Sequence, residues 1–137
     1  MTTPNDVSTL DTNVAIYAFT DDPQKADKAR QKLIGAAFVS VQLLNEFANV
    51  MGRKHKLGWR EIADKLADIR LTVGNVVPLG MAEHSEALRI AERHRLTFYD
   101  ALMLAVALGG GAKIIYSEDM QHDLVIDGTL RIVDPFR

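Results

Sequence analysis

Four acidic residues stand where short apolar runs give way to other elements: Asp11 after Val7–Leu10, Glu46 within "SVQLLNEFANV", Asp100 within "LTFYDALMLAVAL" and Asp119 within "IIYSEDMQHD". Each has an ordinary explanation when taken alone. Asp11 and Asp100 can cap helices, Asp119 suits a turn, and Glu46 can be a surface residue beside an apolar stripe. Taken together they suggest a common chemistry. Carboxylates brought together repel and raise one another's pKa unless a cation neutralises them. Oxygen-only ligation suits Mg²⁺ or Mn²⁺. Such an ion can polarise a phosphate and activate water, so the reaction suggested is hydrolysis of a phosphodiester.

That chemistry requires a scaffold that brings distant acids to one edge. Residues 6–10 read as a first strand, followed by a helix from about Asn13 and a second from Pro23 to about Ile34, where proline suits the first turn. Residues 36–40 read as a second strand. Ser40 is placed to cap a helix in which Val41, Leu44, Phe47, Ala48 and Met51 recur at helical spacing as far as about Lys56. A helix opens at Trp59. Residues 75–79 form a short strand, with Pro78 marking it as an edge. Met81 to about His94 is helical, and Asp100 to Leu108 is almost wholly apolar after its first residue, as in a buried helix. Residues 113–116 and 130–133 complete five strands.

Alternation of strands and helices predicts parallel βαβ units. The expected fold is α/β: a three-layer α/β/α sandwich on a mainly parallel central sheet of four to five strands. In such a sheet the strand ends that lead into helices share one edge, where open α/β folds place their ligands. No repeat or linker is visible, and 137 residues suit a single domain spanning 1–137.

Composition narrows the chemistry further. The chain has no cysteine, which removes disulfides, zinc–thiolate sites and thiol nucleophiles and suits a reducing cytoplasm. No apolar run is long enough to span a membrane, and residues 1–6 lack the basic and apolar regions of a secretory signal. The net charge of −2 does not exclude a nucleic-acid partner. With four acids committed to a cation, the remainder has 16 basic against 14 acidic side chains.

These segments resemble the PIN-domain ribonucleases, especially the VapC toxins of bacterial toxin–antitoxin pairs. "LDTNVAIYAF", "SVQLLNEFANV", "FYDALMLAVA" and "YSEDMQ" resemble the family's four acidic motifs in order and spacing, and "RIVDPF" its C-terminal strand. The resemblance covers nearly the whole chain. It implies an Mg²⁺- or Mn²⁺-dependent endoribonuclease, in which activated water attacks an RNA phosphorus in line. It further implies a homodimer and a cognate antitoxin partner. Asp11, Glu46 and Asp100 are implied as core metal ligands and Asp119 as the fourth acid, with Thr12 and Ser117 as supporting hydroxyls. Glu118 and Asp123 are alternatives in the last motif.

Arg53, Lys54, His55, Lys56 and Arg60 form the densest basic stretch. It is either a solvated helix end or a patch that binds RNA phosphates. Arg93–Arg95 is a smaller cluster of the same ambiguity. His122 could contact substrate or lie on the surface, and Tyr17, Phe98 and Tyr99 could stack on a base or pack inside. Other functions remain open: a catalytically silent PIN-like RNA-binding or scaffold module, and an aspartate-based phosphatase. The second is disfavoured because Asp11-Thr12-Asn13 lacks another Asp two residues after the first.

Overall fold

The computed structural model describes residues 5–137. The reading of residues 1–6 as lacking a secretory signal falls largely on residues 1–4, which lie outside the described residues. In chain order the elements are β1 (Ser8–Leu10), α1 (Thr12–Tyr17), α2 (Pro23–Gly35), β2 (Val39–Ser40), α3 (Val41–Arg53), α4 (Trp59–Val73), β3 (Val76–Val77), α5 (Met81–His94), α6 (Phe98–Gly109), β4 (Ile114–Tyr116), β5 (Val125–Ile126) and β6 (Leu130–Val133). Among the described residues no helix is long and apolar enough to cross a membrane.

Four strands form a sheet in the order β1-β4-β6-β5. The β1–β4 and β4–β6 pairs are parallel, with Leu10 opposite Tyr116 and Tyr116 opposite Val133. The parallel pair β2–β3 adjoins the β1 edge. There the Ala37 N–H donates to the Ser8 carbonyl at 2.8 Å and the Thr9 hydroxyl to the Phe38 carbonyl at 2.7 Å. All three residues of β1 are buried, as are Ile114 and Ile115 of β4. Burial of successive residues, whose side chains point to opposite faces, means helices cover both faces of the sheet. The fold is therefore the expected α/β/α sandwich.

Two local expectations need correction. The sequence reading places no strand at β5, yet β5 pairs antiparallel with β6. The signal was Asp127-Gly128: both residues have positive φ (51° and 72°), and Thr129 N–H closes the turn on Ile126 O at 3.1 Å. These two positive-φ positions suit the Asp-Gly pair, and with Thr129 they make the three-residue loop between the paired Ile126 and Leu130. The apolar helix begins at Phe98 rather than at Asp100. Thr97 is its cap, and its hydroxyl accepts the Asp100 N–H at 3.3 Å. Thr is among the residues favoured at an N-cap, and with Thr97 in that place the carboxylate of Asp100 is left available within the first turn.

The core comprises Leu43, Phe47, Ile69, Ile90, Leu104, Ile115 and Ile132, all fully buried, and α6 is buried continuously from Ala101 to Ala107. The chain leaves α6 through Gly109-Gly110-Gly111, where Gly110 passes directly over the Phe38 ring. A Cβ at Gly110 would overlap that ring, whereas one at Gly109 would meet nothing within 4 Å. Gly110→Ala is therefore expected to cost about 1–3 kcal/mol from overpacking, with Gly109→Ala close to neutral. Urea unfolding of the two variants checks this. Equal midpoints would show that the Phe38 contact does not constrain the turn.

Candidate functional site

The parallel register places the ends of β1 and β4 side by side, so Asp11 and Ser117, each one residue beyond its strand, are neighbours. The Asp11 N–H extends the ladder by donating to the Tyr116 carbonyl at 2.8 Å. Asp11 also caps α1: its Oδ1 accepts the Thr12 N–H at 2.7 Å. Its Oδ2 accepts the Ser117 hydroxyl at 2.9 Å and the Asn13 side-chain amide at 3.3 Å. The capping and functional interpretations of this residue are thus compatible.

Ser40 caps α3 by accepting the Leu43 N–H at 3.0 Å, which fixes the helix and places Glu46 beside α1. The Thr12 hydroxyl donates to Glu46 Oε2 at 3.1 Å, and Gln42, one turn earlier, donates to Oε1 at 2.7 Å. Glu46 is half-buried on the edge of the core stripe, as is Asp100 in the first turn of α6. Asp119 is exposed in the loop after β4, and Asn13 Nδ2 donates to its Oδ2 at 3.0 Å. Asn13 therefore bridges the first and fourth acids. The sequence reading does not single it out; its position two residues after Asp11 was the available signal.

The electrostatics follow from burial. Asp11 is 5% exposed, and removal from water pushes its pKa from 3.8 up to about 6. The bonds from Thr12 and Ser117 oppose that rise, whereas the nearby charges of Glu46 and Asp100 add to it. Among the described residues, no Lys or Arg forms an ion pair with Asp11, Glu46, Asp100 or Asp119. Three of the acids are thus electrostatic neighbours and the fourth is joined through Asn13. Among the described residues no group of three or more histidine, aspartate or glutamate side chains is arranged to hold a metal ion.

The other candidates separate clearly. Glu118 turns towards Lys25 at 2.6 Å and the Tyr17 hydroxyl at 2.9 Å, and the lysine holds its pKa below the ordinary value. Asp123 faces Arg131 at 3.5 Å and His122 at 3.4 Å. His122 Nδ1 accepts the Asp134 N–H at 2.9 Å, so that imidazole is committed to the C-terminal segment. Asp127 is held below its ordinary pKa chiefly by its hydrogen bond from Arg89, with Arg93 and His94 adding to the effect, and Arg95 terminates α5 in a left-handed conformation. Tyr17 packs edge-on against Phe136 at 5.0 Å, Phe98 is half-buried, and Tyr99 is exposed.

The basic stretch divides at the end of α3: Arg53 is its last residue, and Lys54 to Lys56 follow it. Asn49, Val50, Arg53, Lys54 and Lys56 line an open groove of about 470 Å³. Asn49, Val50 and Arg53 lie three, four and seven residues beyond Glu46. Residues at that spacing share a helix face, so the groove continues the Glu46 side of α3.

Comparison with known proteins agrees with this architecture. A PIN domain family model matches residues 9–125. No functionally curated protein matches the chain. Among solved structures, a toxin-antitoxin complex from Klebsiella pneumoniae contains a similar chain, with a TM-score of 0.65 and 17% sequence identity. The match covers 94% of this chain and 97% of that one, and at such low identity it concerns the fold. A family model spanning all but the ends of the chain, on a parallel sheet covered by helices on both faces, leaves one assignment: this protein belongs to the PIN domain family.

Proposed function

We propose that the protein is a divalent-metal-dependent endoribonuclease and the toxin of a toxin–antitoxin pair, with residues 1–137 acting as one catalytic domain. The observation that carries this reading is Asp11: a buried carboxylate beside two others, its pKa raised to about 6, without a cationic partner among the described residues. A structural carboxylate at such a depth is ordinarily paired. The donor set also fits a hard cation, since it contains carboxylate oxygens and neither thiolate nor imidazole. Mg²⁺ requires only one or two carboxylates and retains several waters, so a complete protein cage is unnecessary.

Asp11, Glu46 and Asp100 would hold Mg²⁺ or Mn²⁺, with Asp119 acting through water or on a second ion. When bound, the ion supplies Lewis-acid activation of water and phosphate. The chain's own residues prepare the site. Ser117 and Thr12 hold the Asp11 and Glu46 carboxylates through their hydroxyls, and Gln42 fixes the second Glu46 oxygen. The groove lined by Arg53, Lys54 and Lys56 would bind phosphates of the strand leading away from Glu46. The toxin–antitoxin complex of similar fold supports an antitoxin partner for this chain, and the proposed toxin would act as a homodimer.

The test is incubation of total cellular RNA with the purified protein and Mn²⁺ or Mg²⁺, with EDTA and Asp11→Asn controls and cut ends mapped by sequencing. Discrete cuts lost in both controls are expected. No cleavage by folded, metal-loaded protein would overturn the nuclease and leave a silent RNA-binding module. The groove is tested separately in the Asp11→Asn background, which retains bound RNA intact. Replacing Arg53 and Lys54 together by Ala should reduce the slope of log K against log salt by roughly 1.4, at about 0.7 per phosphate contact on single strands. Fluorescence anisotropy at several salt concentrations measures it, and an unchanged slope would remove both residues from the RNA path.

A further inference from the structure

Asp119 is the one of the four acids that is exposed. It lies on a loop, and its hydrogen-bond partner among the described residues is Asn13. Asn13 makes three contacts, two as donor and one as acceptor. Its Nδ2 donates to Asp119 Oδ2 at 3.0 Å and to Asp11 Oδ2 at 3.3 Å, while its Oδ1 accepts the Glu118 N–H at 3.2 Å. The last contact fixes the orientation of the amide. A backbone N–H can only donate, so the amide oxygen must face Glu118 and the nitrogen must face the carboxylates.

Glu118 is anchored in turn. Its carboxylate accepts Lys25 Nζ at 2.6 Å and the Tyr17 hydroxyl at 2.9 Å, and Lys25 lies over the Tyr17 ring at 4.3 Å. Lys25 belongs to α2 and Tyr17 to α1. Two helices therefore hold the Glu118 end of the loop, and Asn13 holds the Asp119 end. A neutral donor at this point joins two like charges that would otherwise drive the exposed carboxylate into solvent.

We propose that Asn13 is a positioning residue, which ties the Asp119 carboxylate to Asp11 and thereby delivers the fourth acid to the metal site. This rests on the reading of Asp11 and Asp119 as metal-holding groups. Asn13 touches neither ion nor substrate in this role; it acts through Asp119. Replacing the amide should release Asp119 and leave Asp11 in place, because Asp11 retains its bonds from Thr12 and Ser117.

Mn²⁺ affinity, measured by isothermal titration calorimetry on metal-depleted protein, separates the possibilities. Asn13→Ala is expected to weaken binding roughly 10-fold, in the range found when residues that orient a metal ligand are removed. Asp119→Asn should cause a comparable loss. The double variant should be no weaker than Asp119→Asn alone, because Asn13 acts through Asp119 and Asp11 keeps its bonds from Thr12 and Ser117. Asn13→Ser, too short to span both carboxylates, repeats the test if Asn13→Ala folds poorly, and circular dichroism melts of the metal-free proteins report folding. Wild-type affinity in the folded Asn13 variants, or losses that multiply in the double variant, would overturn the proposal while leaving the metal site standing. Equal Mn²⁺ affinity in wild type and Asp11→Asn would instead overturn the metal-site reading, and this inference with it.

Discussion

Asp11→Asn should reduce RNA cleavage by roughly 10²–10³-fold or more, the scale of losing a principal electrostatic contributor to an active site, and should leave a more stable metal-free protein. The second effect distinguishes a functional acid from a structural one. A carboxyl raised from 3.8 to about 6 costs about 3 kcal/mol more to ionise in the folded protein than in the unfolded chain. Between those values the unfolded state has already released the proton that the native state retains. Stability therefore falls as pH rises from about 4 to about 6, then levels off. At pH 7 the neutral amide removes this penalty. It loses part of the bonding, because the Asn13 amide then meets an amide and the Ser117 hydroxyl must turn to accept. A net gain of about 1–2 kcal/mol is expected, visible in urea unfolding at pH 7 and largely absent at pH 4. A variant that cleaves at the wild-type rate, or that is less stable at both pH values, would sink the assignment.

The second large effect is stabilisation by the cation itself. An ion that binds only the folded state at 100 times its Kd contributes about 2.7 kcal/mol. For a chain of this size that corresponds to a rise in Tm of about 10 °C. Mn²⁺ should therefore raise the melting temperature of the wild type and EDTA should reverse it, with little response from Asp11→Asn. The rise should diminish at acid pH, since protons compete for a carboxylate that titrates at about 6. At pH 5 that competition should weaken apparent affinity about 10-fold. A differential scanning fluorimetry series across pH and Mn²⁺ concentration measures both trends. An equal Tm response in Asp11→Asn would place the ion elsewhere.

The two effects share one cause. Asp11 is buried at the sheet edge, and the charges of Glu46 and Asp100 add to the cost of ionising it there. Two of these acids, Asp11 and Glu46, are held in fixed orientations by hydrogen bonds from Thr12, Ser117 and Gln42. Stability is expected to be lower in the metal-free state for that reason, a pattern typical of residues arranged for function.

Periodicity and strand–helix alternation in the sequence were sufficient for the α/β/α architecture and for α3, α5 and the buried α6, because hydrophobic spacing is a local property of the chain. They were also sufficient to select Asp11, Glu46, Asp100 and Asp119 as candidates. Local signals misled where two residues were each suited to the same cap, since Thr97, and not Asp100, caps α6. The short β5 was overlooked although Asp127-Gly128 marked its turn. Tertiary structure alone decided the relations between segments. The β1–β4 register set Ser117 against Asp11, and Asn13 reached Asp119 across 106 positions of sequence. It also distinguished adjacent residues, turning Glu118 to Lys25 and Asp119 to Asn13. The physical reason is that hydrogen bonds and charge interactions depend on distances of a few ångströms, which for residues far apart in sequence exist only after the sheet has formed.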